Sequence, residues 1–234
     1  MSDNKYQREI LSRCSFFPSG AKYSDLALKE IDDDLFNYHL QQLVKVGLLD
    51  KNDKIYTLTE KGKSYVTNID EVSKEVPPKY KVSVYMCLIN NDSILLHRRL
   101  KHPQFGYVGF PSGKIAYGER ILDTAHREFQ EETHLDADFQ IIGNLRQIRR
   151  NVGGQVIEDG VFYVCFADKF TGNLQETFQE GENFWCIIDK VSKIEKIFKP
   201  SVEIIINECK KRLERTKESG YIFTYELEPA PEAY

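Results

Sequence analysis

The stretch GKIAYGERILDTAHREFQEETHL, residues 113–135, decides how the rest of the chain is interpreted. Its second half places Glu128, Glu131 and Glu132 close together and directly after Arg127. In a helix, like charges three or four residues apart repel each other and cost about 0.2–0.5 kcal/mol per pair. Such a cluster is usually a solvent-exposed face of a helix, and the alternative is that its carboxylates bind a cation.

The spacing of the apolar residues predicts a helix over residues 119–133. On this helix, Glu128 and Glu132 lie one turn apart on the same face, and Glu131 borders that face. A separate apolar stripe can pack on a sheet and consists of Leu122, Ala125 and Phe129. The sequence therefore predicts an amphipathic helix with its carboxylates gathered on one side.

The loop FPSGKIAYGE precedes this helix and contains Gly113 and Gly118, which permit tight backbone turns. Clustered carboxylates are natural ligands of hard cations such as Mg²⁺, which retains several waters and bridges to substrate phosphates. A cation here would remove the repulsion among the glutamates, acidify a bound water and neutralise a diphosphate. From composition and spacing alone, a solvated helix face remains the commoner explanation.

The spacing of these residues resembles the Nudix box. Gly113, Glu119 and the run REFQEE at 127–132 match that motif, and its final glycine is replaced by His134 before an aliphatic residue. Histidine tolerates the left-handed backbone that a glycine at this point usually adopts. The segments ILLHRRL, GYVGFPSGK and ENFWCII also resemble the strands and loop around the box, so the resemblance covers roughly residues 80–215.

The resemblance implies an α/β (α+β) fold, namely a Nudix α/β/α sandwich with a mixed sheet. It implies a hydrolase that cleaves a phosphoanhydride bond in a nucleoside diphosphate-linked substrate, with Mg²⁺ or Mn²⁺ as the cofactor that assists the attack of water. The residues that it implies as catalytic are Glu128, Glu131, Glu132 and Arg127. Those that it implies as metal ligands are Glu128, Glu131, Glu132 and Glu180, with Glu158 as the alternative to Glu180.

Three further roles follow from the same resemblance. Glu128 is also a candidate general base. Arg127 would orient the carboxylates by pairing with Glu119. Gly113 would allow the loop to approach the helix.

The loop RRLKHPQFGY before the box supplies the candidate substrate-binding residues Arg98, Arg99 and Tyr107. The arginines bring positive charge for phosphate groups, and Tyr107, together with Phe105, brings a stacking surface for a base or sugar. The alternative is that the aromatic residues belong to the core and that the charges are solvated. Nothing outside the box identifies the particular nucleotide.

The pattern around the box helix predicts β-strands. KVSVYMCLI and SILLHRR form a hairpin across the turn NNDS, and VIEDGVFYVCFADKF and ENFWCII are rich in β-branched and aromatic residues. A second helix is predicted over residues 201–217. Mixed strands with few helices favour an α+β or α/β sandwich.

Residues 1–76 form a second predicted domain, which resembles a winged helix-turn-helix domain. Helical patterns in KYQREILSRC, KYSDLALKEI and DDDLFNYHLQQLVKVGLL precede the strand KIYTLT and a last helix in TEKGKSYV. The stretch IDEVSKEVPPKY, with Pro77 and Pro78, follows as a stiff linker. The predicted boundaries are 1–76 for this small domain, 77–80 for the linker and 81–234 for the Nudix domain.

The charges of the first domain argue against tight DNA binding, although DNA remains a partner that the sequence allows. Residues 1–76 contain eleven Lys or Arg and thirteen Asp or Glu, whereas phosphate contacts need a basic surface. The helix that would enter the major groove opens with Asp32, Asp33 and Asp34. The favoured alternative is a dimerisation or substrate-covering module, and KYQREILSRC carries an apolar stripe for a homodimer.

The composition of the 234-residue chain sets the remaining limits. Its 41% hydrophobic content supports a real core, and its formal net charge of -4 gives no global basic field for nucleic acid. The five cysteines lack metal-ligand or redox spacing, and neither a signal peptide nor a bilayer-length apolar run is visible. We therefore expect buried free thiols and a soluble cytoplasmic protein without membrane contact.

Two functions are consistent with the motifs and the composition of the chain. The first is a metal-dependent Nudix hydrolase with an accessory domain. The second is a transcription regulator that binds DNA through its winged domain and senses a nucleotide with its Nudix domain. The complete set of glutamates favours the hydrolase, because a pure sensor needs no metal site.

Overall fold

The computed structural model describes residues 4–70, 76, 78–102, 104–214 and 223–227. The chain divides into two compact units, residues 1–79 and residues 80–234. This division falls within the stretch expected to be a linker, of which Pro77 lies outside the described residues. Each unit has its own hydrophobic core, as an independently packed domain requires.

The first unit is built from short helices and a small antiparallel sheet. Its described elements are helices α1 (Lys5–Cys14), α2 (Tyr23–Leu26), α3 (Asp33–Lys45) and α4 (Glu60–Val66), and strands β1 (Ala21–Lys22), β2 (Leu49–Asn52) and β3 (Ile55–Leu58). The strands pair in the order β1–β3–β2. Asp32 caps α3, since its carboxylate accepts a hydrogen bond from the Leu35 amide at 2.8 Å.

Two expectations for the first unit are wrong. The pattern KYSDLALKEI was expected to be helical throughout, but α2 stops at Leu26. Leu26 and Leu28 are both buried. Residues two apart point to the same side in an extended chain, so the chain after Leu26 can bury both without continuing the helix. The apolar stripe of α1 was expected to pair two protomers, but Ile10, Leu11 and Cys14 lie in the core of the unit itself. The stripe therefore offers no free surface to a second copy.

The second unit contains a mixed sheet, two α-helices and a 3₁₀ helix among its described residues. Its strands are β4 (Lys81–Asn90), β5 (Ser93–Arg99), β6 (Val108–Gly109), β7 (Ser112–Lys114), β8 (Leu135–Ala137), β9 (Gln140–Arg150), β10 (Val156–Ala167), β11 (Phe170–Gly172), β12 (Thr177–Phe178), β13 (Gly181–Ile187) and β14 (Phe223–Leu227). Its helices are α5 (Ile121–Thr133), α6 (Ser201–Glu214) and the 3₁₀ helix Ile188–Lys193. The central pairing order is β12–β13–β5–β4–β10–β9–β14, with β4–β10 and β9–β14 parallel.

The sheet is covered by a helix on each face. Alternate residues of β4 separate the two layers, because successive side chains of a strand point to opposite faces. Val84 and Met86 pack in the same cluster as Phe129 of α5, whereas Cys87 packs in the same cluster as Ile205 of α6. The α/β/α sandwich with a mixed sheet that the sequence predicted is therefore confirmed.

The box segment has the predicted local structure with small shifts. The helix begins at Ile121 rather than at residue 119, and it ends at Thr133, after which His134 adopts a left-handed φ of 59°. Histidine therefore occupies the conformation for which this position usually has glycine. The predicted hairpin is also present, with Ile89 opposite Ile94.

The cysteines are unpaired, as their spacing in the sequence predicted. All five cysteines are free, and only Cys186 among them is partly exposed. Within the described residues, no helix combines the length and the apolar character needed to cross a bilayer.

Candidate active site

A cavity of about 520 Å³ opens in the second unit between the sheet, the box helix α5 and the start of α6. Its acidic lining residues are Glu128, Glu132, Glu158 and Glu180. Its basic lining residues are Lys81, Arg99, Lys101, Lys114 and Arg149. Its aromatic lining residues are Tyr85, Phe110, Phe162 and Phe198. One cavity therefore offers carboxylates, cations and aromatic surface to the same ligand.

The absence of a side chain at position 113 lets the box helix approach the sheet. Gly113 lies on β7 and is paired with Val84 of β4. A Cβ atom at this position would collide with the side chain of Glu128. Because residue 113 is glycine, the side chain of Glu128 has room to lie beside β7 at the cavity.

Arg127 holds the acidic residues of the box in a fixed arrangement. Its Nε and Nη2 donate to the two carboxylate oxygens of Glu119 at 2.8 and 2.9 Å. Its Nη1 donates to Glu128 at 2.8 Å and lies 3.5 Å from Glu131. The hydrogen bonds from Arg127 lower the pKa of Glu119 to about 2. The pairing of Arg127 with Glu119 that the sequence predicted is present, and its planar fork fixes the geometry.

Glu132 has a carboxylate oxygen, Oε2, that is buried beside the cavity. Burial and, next, the neighbouring Glu128 raise the pKa of Glu132 to about 8. The backbone of Ser112 donates a hydrogen bond to this carboxylate, but Oε2 is buried without a hydrogen-bond partner in the described structure. Buried polar atoms normally have partners. An unpartnered carboxylate oxygen beside a second carboxylate fits Mg²⁺ or Mn²⁺, which oxygen ligands bind.

The other predicted metal ligands lie differently. Glu131 does not line the cavity, and its side chain is 62% exposed where it faces Arg127. Glu180 lines the cavity and forms an ion pair with Lys101. Glu158, the alternative, lines the cavity and pairs with Lys81 at 3.0 Å. In the part of the chain that the structure describes, no three acidic, histidine or cysteine side chains converge as a ready metal site.

The three predicted substrate-binding residues separate into two groups. Arg99 lines the cavity, whereas Arg98 and Tyr107 are not part of its wall. Arg98 is the next residue on β5, so its side chain points to the opposite face, where it lies over Phe184. Tyr107 packs on Phe198 at 5.1 Å between ring centroids, behind the wall that Phe198 forms.

Of the polar floor of the cavity, the sequence indicated only Glu158, as an alternative metal ligand. Lys81, Ser83 and Tyr85 alternate along β4 and line the cavity. Charge is added by Glu158 on the adjoining strand β10 and by Arg149 on β9, the strand beyond it. The Ser83 hydroxyl is buried without a partner in the described structure. Polar residues at every second position of a buried strand indicate a polar cavity wall, because polar groups are rarely buried without partners.

A mixed-sheet sandwich with glutamates on one helix, a glycine beside them and a cavity of mixed charge defines the class of Nudix domains. Residues 79–206 match the family model described as the NUDIX domain, and the chain belongs to this family of hydrolases.

Individual relatives agree with this assignment. The chain is 26% identical over 116 residues to the Nudix hydrolase YvcI of Bacillus subtilis, covering 49% of this chain and 72% of that protein. The crystal structure of the mutator MutT protein from Bacillus halodurans matches with a TM-score of 0.51 at 20% identity, covering 65% of this chain and 93% of that one. The NUDIX domain of Shewanella oneidensis NrtR, solved with ADP ribose, matches with a TM-score of 0.51 at 20% identity, covering 67% and 99%. These structural matches show the fold.

Proposed function

We propose that the protein is a divalent-metal-dependent pyrophosphohydrolase that cleaves a phosphoanhydride bond in a nucleoside diphosphate-linked substrate. The observation that carries the proposal is the buried, unpartnered Oε2 of Glu132 beside Glu128 in the cavity. A purely structural helix gains nothing from a buried carboxylate whose pKa is raised to about 8. A cation that pairs with this carboxylate compensates for its burial.

The residues of the cavity and of the box have different roles in the proposed reaction. Glu128 and Glu132 would hold the cation, which supplies charge neutralisation and an acidified water. Arg127 fixes the direction of the Glu128 carboxylate, and Glu131 and Glu180 are the further candidate ligands. Water adds to one phosphorus, the bridging P–O bond breaks, and the bridging oxygen leaves with the other phosphate. Glu128 is the candidate base that takes the proton of the water.

The cations on the wall indicate where the diphosphate lies. Arg99 and Lys101 line the cavity together with Glu128 and Glu132, so they are placed to contact the phosphate oxygens. The aromatic and polar floor then receives the nucleoside. Because the related NrtR domain was solved with ADP ribose, ADP-ribose is the first substrate to test.

The test is a substrate panel with Mg²⁺ and Mn²⁺, in which products are identified by mass. Glu132→Gln keeps the size of the side chain but removes its charge, and we expect kcat to fall about 100-fold or more, because even indirect partners of a metal cost 10–100-fold. Glu60→Gln is the matched control, since Glu60 is exposed on α4 of the other unit and pairs only locally with Lys63. No turnover by the parent on any nucleotide, or full activity of Glu132→Gln, contradicts the proposal.

A nucleotide-sensing regulator is the second candidate. Its support is the order of elements in the first unit, α1–β1–α2–α3 followed by the β2–β3 hairpin, which is similar to that of winged helix-turn-helix domains. In that comparison, α3 would be the recognition helix and the hairpin would be the wing. The exposed Asp33 and Asp34 in the first turn of α3 oppose the approach of phosphates, so we rank this function second.

A further inference from the structure

The amide side chain of Asn183 joins β13 to the last turn of the box helix. Asn183 is 2% exposed, and its Nδ2 donates to the backbone oxygen of Glu132 at 2.7 Å and to that of Gln175 at 3.0 Å. A carbonyl oxygen can only accept a hydrogen bond, so two such partners fix which end of the amide is the NH₂ group. The Oδ1 atom of Asn183 therefore points the other way.

His97 completes the contact from the neighbouring strand. Its Nδ1 lies 3.1 Å from Oδ1 of Asn183, so His97 donates and carries its proton on Nδ1. Burial lowers the pKa of His97, which keeps the ring neutral. Gly181 leaves space for the ring, because a Cβ atom there would collide with it. The orientation of the Asn183 amide is thus fixed on both sides.

These bonds satisfy the end of the helix that carries the glutamates. The last four carbonyl groups of a helix have no partner within the helix. At the end of α5, the amide of His134 bonds to the oxygen of Gln130 at 3.0 Å, and the amide of Gln175 bonds to that of Thr133 at 2.8 Å. The oxygen of Glu132 receives its bond from Asn183. A side chain from β13 therefore holds the backbone of the residue whose carboxylate is buried in the cavity.

We propose that Asn183 is a positioning residue for the metal site, acting through the backbone of Glu132, and that His97 holds the Asn183 amide in the required direction. This inference rests on the proposed function, because it concerns the carboxylate that would bind the cation. Catalytic groups must be held within about 0.5 Å of the productive geometry by the residues behind them. Loss of such an indirect partner typically weakens metal binding or activity by about 10–100-fold.

The test compares two variants of Asn183 with a matched control in the full chain. Asn183→Ala removes the amide, and Asn183→Leu keeps much of its volume but cannot donate. Asn144→Ala is the control, because the Asn144 amide on β9 makes a weaker contact, to Thr224 at 3.3 Å, away from the cavity. Mn²⁺ binding without substrate is measured by calorimetry, and activity is measured as a function of Mn²⁺ concentration.

We expect both Asn183 variants to bind Mn²⁺ at least about tenfold more weakly than the parent, and we expect Asn144→Ala to bind it equally. Saturating Mn²⁺ should restore most of kcat in the Asn183 variants, which a damaged fold would not allow. Parent-like Mn²⁺ affinity in both variants overturns the inference. Weakening in Asn183→Ala alone also overturns it, because a cavity rather than the lost donor would then be the cause.

Two further results would also overturn the inference. The near-ultraviolet circular dichroism of Trp185, two residues along β13, reports the packing of this strand. Loss of that signal in both Asn183 variants shows a role in folding alone and overturns the inference. A parent protein that neither binds Mn²⁺ nor hydrolyses any nucleotide overturns the proposed function itself, and the inference falls with it.

Discussion

At the scale of single residues, Gly113 has a strict steric requirement in the candidate site. We expect Gly113→Ala to displace the Glu128 side chain, with which a Cβ would collide, and to lower kcat about 10–100-fold by disturbing a ligand position. Gly153→Ala is the control, because Gly153 lies in an exposed turn and a Cβ there meets only Asn151 at 3.3 Å. Equal rates for Gly113→Ala and the parent would contradict the close approach of Glu128.

Arg99 and Arg98 form a natural pair for testing substrate contact, since they are adjacent on β5 but face opposite sides. We expect Arg99→Ala to raise KM about tenfold or more, because hydrogen bonds to charged groups contribute about 1.5–3 kcal/mol. The fall in kcat should be smaller, since the contact already exists in the ground state. Arg98→Ala should leave steady-state kinetics unchanged. Similar KM values for the two variants would place Arg99 outside the substrate site.

At the scale of single elements, the end of α5 stores a small strain. His134 adopts a φ of 59°, a conformation that costs a residue with a side chain about 1–2 kcal/mol. We expect His134→Gly to raise the unfolding temperature by about 2–4 °C for each kcal/mol relieved, and His134→Ala to lower it. The fluorescence of Trp185, the single tryptophan, reports the unfolding of this unit. A lower temperature for His134→Gly would contradict the strain.

Elements with a regular pattern of apolar residues could be predicted from the sequence. The box helix, the β4–β5 hairpin and β10 have alternating or helical spacing, and each is present. The strand β9 was not predicted, because Gln147 and Arg149 occupy buried positions where apolar residues are normally expected. Arg149 lines the cavity, so a residue of the candidate site interrupts the apolar pattern from which the strand could be recognised.

The candidate site could be predicted only where its residues are close in sequence. The Arg127–Glu119 pair and the close approach of Gly113 to the box helix could be predicted, because the spacing of these residues along one loop and one helix determines their contacts. The hydrogen bonds from Asn183 to Glu132 and from His97 to Asn183 link a helix and two strands that are far apart in sequence, and no local pattern indicates them. Successive side chains of a strand point to opposite faces, so Arg98 and Arg99 must face opposite sides of the sheet. Which of the two faces the cavity can be told only once the register of β5 is known.

At the scale of the whole molecule, we expect the full-length protein not to bind DNA tightly. The acidic first turn of α3 and the excess of acidic over basic residues in 1–76 oppose phosphate contacts. The measurement is a titration with random and self-derived promoter DNA at low and physiological salt, with the oligomeric state followed by light scattering. Asp33→Asn/Asp34→Asn should bind more strongly than the parent at low salt, because it removes two repulsive charges.

Two results would change the ranking of functions. Nanomolar binding of the parent with a steep salt dependence would place the regulator first. A homodimer without DNA binding would leave the first unit as an assembly module. Since the apolar stripe of α1 is already buried, such a dimer would have to use another surface.

The parallel pairing of β4 with β10 has a consequence for the growing chain on the ribosome. The first unit precedes the second in the chain and has its own hydrophobic core, so it can complete its fold while the second unit is still being made. In the second unit, Lys81 of β4 pairs with Gly160 of β10, so this edge of β4 has no partner until nearly half of the unit remains to be made. Nascent chains that expose an apolar strand edge are prone to aggregate. We therefore expect the nascent chain to be most prone to aggregate in the interval between the synthesis of β4 and that of β10.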